Sequence, residues 1–196
     1  MPAAVERPAS FTPPQHKRWT RAECERLVST GILQPDRYEL IAGELVLKVS
    51  KGHPHMLSLM RLIAWLHPIF GPMRVLPEGT IDLHPEDHPT SAPEPDATVL
   101  RLPMQELGAP PGPRDILFVA EISNTSLLFD MTVKAGLYAR AGIQEYWVLD
   151  VESRKVIVHR QPEAGRYCEV AAYGAGETLA TLAAPERAID VGELFQ

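Results

Sequence analysis

The chain has 196 residues, 45% of them hydrophobic, and a formal net charge of −6. That length supports one core, a single domain over residues 19–196 behind an N-terminal tail at 1–18 rich in proline, alanine and polar residues. The acidic balance counts mildly against a nucleic-acid-binding module, and two distant cysteines, Cys24 and Cys168, argue against a disulfide scaffold or a zinc ribbon. No apolar run approaches the ~18 residues needed to span a bilayer. The first residues also lack the apolar core of a signal peptide. The expectation is a cytoplasmic protein with two buried or half-buried free thiols.

Ordered sequence begins at "TRAECERLVSTG", where Thr20 and Glu23 form a capping box and Gly31 ends the helix. "RYELIAGELVLKVS" predicts two strands about an Ala-Gly turn, with Leu45, Leu47 and Val49 on one face of the return strand. "HPHMLSLMRLIAWLHPIFG" has apolar residues at 56, 59, 60, 63 and 66, a helical spacing. "MRVLPEGTIDLH" is a strand region interrupted at Pro77, and a loop then delivers the chain to Asp96 and the short strand "ATVL". "DILFVAEIS" is apolar on both faces until Glu121, as a central buried strand is. A helix over "DMTVKAGLYARAG" and the strand "QEYWVLD" complete a right-handed crossover between parallel strands. After Asp150, a turn residue, "KVIVHRQ", "GRYCEVAAYG" and "ETLATL" alternate like a meander. The fold class is α/β: a mixed β-sheet flanked by helices, with a β-rich C-terminal part.

Four residues carry the chemistry. Glu121 shares a strand face with Leu117, Val119 and Ser123, at the carboxyl end where α/β sheets place their sites. A buried carboxylate must be paired, metal-bound or neutralised. Asp96 follows Pro95 at the head of a strand, where ordinary turn chemistry is the competing explanation. Glu39 lies inside a strand and either faces solvent or joins the site. Asp130 and Lys134, four apart on one helix, form either an exposed ion pair or an arm that points Lys134 back toward Glu121, with Tyr138 on the same face. Trp147 and Tyr146 are assigned to the core. Three acids and one lysine suit metal-assisted phosphodiester hydrolysis, because magnesium takes oxygen ligands and a bound ion lowers the pKa of its water.

In this order, "RYELIAGELV", "EPDATVL", "EISNTSLLFDMTVKAGLYARAGIQEYWVLD" and the trailing hairpins resemble the Uma-two family, a branch of the restriction-endonuclease-like PD-(D/E)XK superfamily. The resemblance covers roughly residues 18–195. It implies a restriction-endonuclease-like core and a Mg²⁺ or Mn²⁺ site. It carries Glu39 over as an early acid, Asp96 as the acid of the "PD" motif and Glu121 as that of "(D/E)XK". The superfamily lysine stands two residues after the glutamate, where this chain has Ser123; Lys134 matches the alternative position on the following helix. A histidine recurs in the family near His53 and His55, which otherwise read as surface residues at a helix start. Ser123, Asp130 and His55 are thus expected as supporting residues. The implied activity is that of a Mg-dependent endodeoxyribonuclease with DNA as substrate. A homodimer or higher homo-oligomer is expected by analogy. The alternative is a catalytically inactive nuclease fold acting as a nucleic-acid-binding or protein-interaction module.

Overall fold

A computed structural model describes residues 16–48 and 51–196. The greater part of the expected tail, and Val49 on the expected return-strand face, lie outside the described residues. Helix α1, Arg21–Ser29, opens on the predicted capping box, with the Thr20 hydroxyl accepting from Glu23 N and the Glu23 carboxylate accepting from Thr20 N. Strands β1, Tyr38–Ile41, and β2, Glu44–Leu47, form an antiparallel hairpin. Ala42 and Gly43 both have positive φ, 49° and 80°, as a two-residue hairpin turn of matching twist requires. Arg18 donates to the Ala42 carbonyl, and Trp19 N to the Gly43 carbonyl.

Helix α2 spans His53–Phe70 and β3 spans Val75–Pro77, ending at the predicted proline. The strands β4 (Ala97–Leu100), β5 (Ile116–Ser123), β6 (Glu145–Asp150), β7 (Lys155–Glu163) and β8 (Arg166–Tyr173) join β3 in one six-stranded sheet, ordered β3-β4-β5-β6-β7-β8. Only the β5–β6 pair is parallel; the other neighbours are antiparallel. The crossover runs through α3, Leu127–Phe129, a π-helical segment, Asp130–Lys134, and α4, Ala135–Arg140. Gly142, at φ 76°, reverses the chain into β6.

The central strands are buried on both faces. Phe118, Ala120 and Ile122 face α2 and a core built around Trp147, which stacks on Trp65 and meets Phe118 edge-on. Val119, with Tyr146 and Val148, faces α4 and the hairpin, where Tyr138, Ile41 and Ile81 pack. The two faces hold α2 on one side and the crossover helix on the other. Among the described residues, no helix is long and apolar enough to cross a membrane.

Three expectations are corrected. The buried stripe of α2 is His55, Ser58, Leu59, Leu62, Leu66 and Phe70, while Met56 and Met60 face solvent. The apolar pattern at 56 and 60 misled because a short histidine and serine fill the core-facing positions instead. On β2, Val46 packs on the core and Leu47 is exposed, so the face that carries Leu47 is the one turned away from the core. The C-terminal meander ends at β8; Thr178–Leu179 (β9) pairs instead with Ile189–Asp190 (β10) in a separate ribbon. Cys168 is exposed rather than buried, and both thiols are free. Leu62 is fully buried among these contacts. Leu62→Ala is expected to destabilise the protein by about 3 kcal/mol in urea unfolding, with an unchanged slope.

Candidate functional site

The antiparallel register pairs Ala97 with Ala120, so the next residues along, Asp96 and Glu121, meet at the end of the β4–β5 ladder. Asp96 Oδ2 accepts the Ile122 backbone N–H at 2.7 Å, which locks its side chain against the central strand. Glu121 points to the opposite face from Ile122, toward the crossover helix. There Lys134 Nζ approaches Glu121 Oε1 to 2.8 Å and Glu39 Oε2 to 3.1 Å. Tyr138, one turn further, donates its hydroxyl to the same Glu121 oxygen at 2.8 Å. Glu39 is steadied by the Glu94 N–H, 2.7 Å from its Oε1. The hairpin, the central strand and the crossover helix therefore converge on one buried ammonium group.

The π turn belongs to this arrangement. The Asp130 carbonyl accepts the Ala135 N–H, one residue beyond the α-helical partner, and also the Tyr146 hydroxyl from β6 at 3.1 Å. The tyrosine hydroxyl thus meets the helix ladder at the turn where it widens, and such single π turns are frequent at functional sites. The Asp130 carboxylate takes the Ser126 hydroxyl at 2.6 Å, and Ser126 lies 3.3 Å from Ser123 Oγ. The expected alternative for Asp130 and Lys134, an exposed pair with each other, is not what forms: both are buried, and Lys134 pairs across the fold.

The charged groups meet at a cavity of about 530 Å³, which Ser126 and Ile122 also line. Of the candidates, Glu39, Asp96, Glu121, Lys134, Asp130 and His55 border it; Ser123 sits just behind, fully buried. His55 is not a surface residue: its Nε2 lies 3.3 Å from Asp96 Oδ2, and its Nδ1 is buried without a partner among the described residues. His53 lines a neighbouring cavity that shares Asn124 and Thr125 with the first. Two further lysines were not legible in the sequence. Lys51 Nζ is 2.7 Å from Asp96 Oδ1 and 2.9 Å from Glu78, and Lys48 Nζ is 2.7 Å from Glu94. No spacing rule connects Lys51 with Glu78 and Asp96, because three separate chain segments bring them together.

The charges explain the protonation states. Burial pushes Lys134 toward the neutral form, but Glu121, Glu39 and Asp130 outweigh it and raise its pKa, so it remains an ammonium. Burial raises Glu121 well above the usual carboxylate range; Lys134 resists, while Asp96, Asp130 and Glu39 add to the rise. Burial also raises Asp130. For Asp96 burial acts upward too, but His55 and Lys51 overcome it and hold the carboxyl at about 2. Seven carboxylates and three lysines line the cavity, so negative charge is left uncompensated there. Among the described residues, no group of three or more His, Cys, Asp or Glu side chains stands ready to hold a metal ion. Both oxygens of Glu39 are engaged by the Glu94 N–H and Lys134, and Lys51 covers Asp96.

Two outcomes follow for stability. Lys134→Met leaves buried carboxylates without their cation and is expected to cost about 3 kcal/mol at pH 7 in urea unfolding. Glu121 is then raised further, and the contribution of a raised acid is complete below its unfolded value and lost as pH rises through its folded one, so the deficit shrinks as pH falls toward 4.5. Asp96 has the opposite sign: its depressed pKa stabilises above the unfolded value of 3.8, and that contribution is lost as pH falls toward about 2. It amounts to roughly 2 kcal/mol. Acid unfolding of Asp96→Asn should lack that limb.

A solved structure of a "putative nuclease" from Anabaena variabilis matches this fold with a TM-score of 0.62, at 16% sequence identity, over 85% of this chain and 94% of that one. At that identity the likeness establishes the restriction-endonuclease-like fold. No curated protein matches the sequence. The Uma2 family model, described as "Putative restriction endonuclease", matches residues 22–192, from α1 to the C-terminal ribbon, and includes every residue of the cavity named above. The chain belongs to the Uma2 family.

Proposed function

We propose that this protein is a metal-dependent endonuclease that hydrolyses phosphodiester bonds in DNA. The observation that carries the reading is the Lys134 ammonium held between Glu121 and Glu39, one element after the strand position that Ser123 occupies. A flexible lysine stem on the packed crossover helix delivers its charge to the place a strand lysine would reach. Family membership supports a nuclease; the metal, the substrate and the role of Lys134 are our assignments.

Asp96 and Glu121 would hold magnesium or manganese. Two features fit such an ion. Both hydrogen bonds that Glu121 accepts among the described residues go to Oε1, which leaves Oε2 for a ligand. The excess of carboxylates over lysines favours a divalent cation and repels a bare phosphate, so the cation has to accompany the substrate. Two carboxylates suffice, because magnesium keeps several waters. When bound, the ion supplies a water of lowered pKa and neutralises charge on the phosphate.

The chain's own residues do the rest. Lys134 is protonated, so it acts as a donor and not as a base: it orients the attacking water or stabilises the negative charge on phosphorus oxygens in the transition state. Glu39 and the Glu94 N–H hold that ammonium in position. Tyr138, whose pKa is raised by burial, stays a neutral phenol and fixes Glu121. His55 and the Ile122 N–H fix Asp96.

A second reading, a non-catalytic nucleic-acid-binding or protein-interaction module, is favoured by Ser123 at the usual lysine position and by the lack, among the described residues, of a ready metal cluster. Plasmid incubation with Mn²⁺ separates the two. The wild-type chain is expected to convert supercoiled DNA, and Asp96→Ala, Glu121→Ala and Lys134→Ala should each lose at least about 100-fold in rate. Equal nicking by all four proteins, or none by any, overturns the catalytic reading.

A further inference from the structure

Lys51 has no place in the site expected from the sequence, yet its ammonium group sits on the carboxylate most needed there. Asp96 Oδ2 is committed to the Ile122 N–H and to His55. Oδ1 is the oxygen left for a cation, and Lys51 Nζ occupies it at 2.7 Å. We infer that Lys51 is a displaceable counter-ion: it neutralises Asp96 in the metal-free protein, a divalent ion must displace it, and Glu78 receives the released ammonium. The inference rests on the assignment of Asp96 as a metal ligand.

Three features together let Lys51 leave Asp96, and the first of them sets it apart from Lys134. First, its side chain is 31% exposed, against 7% for Lys134, so it moves without opening the core. Second, its flexible four-carbon stem carries a compact charge that can swing between partners. Third, a second carboxylate is already in place. Glu78 Oε1 lies 2.9 Å from Lys51 Nζ and is 48% exposed. Its backbone has φ 51°, a left-handed conformation that a residue with a Cβ seldom adopts. The Glu78 N–H bonds to the Asp96 carbonyl at 3.2 Å, which ties that strained corner to the site. Lys48, at the same cavity, pairs with Glu94 and has no ion pair with Asp96, so it serves as an internal comparison.

An ammonium group and a divalent ion on Oδ1 repel each other at contact distance and compete for its lone pairs, so the ion binds better once Lys51 has left. The apparent metal affinity is therefore reduced by the fraction of molecules in which Lys51 has left Asp96. The released ammonium is then held by Glu78 alone.

Calorimetric titration of the metal-free full chain with Mn²⁺ tests this, with thermal melts confirming that each variant is folded. Lys51→Gln keeps a neutral donor for Asp96 and is the gentler change; Lys51→Met removes the contact outright. Both are expected to bind Mn²⁺ more tightly than wild type, on the order of fivefold or more. Lys51→Arg retains the competing charge and should stay at or below the wild-type affinity. Lys48→Met removes the same charge from the same cavity and should change affinity by less than about twofold. If Lys51→Gln and Lys51→Met match wild type, or match Lys48→Met, the counter-ion role is overturned while the metal site stands. If wild type and all variants fail to bind Mn²⁺, or if binding survives Asp96→Asn, the metal assignment itself fails.

Discussion

The Lys134 ammonium, 2.8 Å from Glu121 and 3.1 Å from Glu39, ties together three pieces of chain that fold for separate local reasons. The hairpin forms from its Ala-Gly turn, β5 from its apolar run, and the crossover helix from its fit against β5 and β6. Each then presents one charged group that is too costly to bury alone. Together they satisfy each other and leave a residue of negative charge. Tyr138, the Glu94 N–H and the Ile122 N–H add hydrogen bonds to Glu121, Glu39 and Asp96 in turn.

A buried ion cluster of this kind is a poor source of net stability, since desolvation offsets much of the Coulomb attraction. Its value lies in geometry. Burial raises Glu121 and Asp130, whereas the partners of Asp96 lower it, so carboxylates in one cavity are pushed in opposite directions. Divergent pKa values among neighbouring acids mark sites where charge is managed for a purpose. The cationic partners differ too: Lys134 is enclosed, and Lys51 stands at the rim.

The π turn at Asp130–Lys134 shows how a local irregularity serves a distant contact. Tyr146, from a strand, donates to the Asp130 carbonyl, which also accepts the Ala135 N–H. The Lys134 and Tyr138 side chains then share one Glu121 oxygen. Nothing in "DMTVK" announces a π turn or its contact with a tyrosine hydroxyl on another element.

Local pattern was enough for the capping box at Thr20, the Ala-Gly hairpin, the apolar central strand and the parallel crossover, since each depends on neighbours in the chain. The four charged residues Glu39, Asp96, Glu121 and Lys134 were legible from their type and order, and they do share one cavity. Which face of α2 is buried was not, because His55 and Ser58 there answer to Asp96 and the sheet and not to hydrophobic periodicity. The partners of each charge were not legible either. Whether Lys134 paired with Asp130 or with Glu121, and whether Lys51 met Asp96, depended on side chains of opposite charge being brought within about 3 Å by packing of separate elements. Sequence identifies which groups must find a partner; only the folded arrangement, through distance and burial, selects the partner.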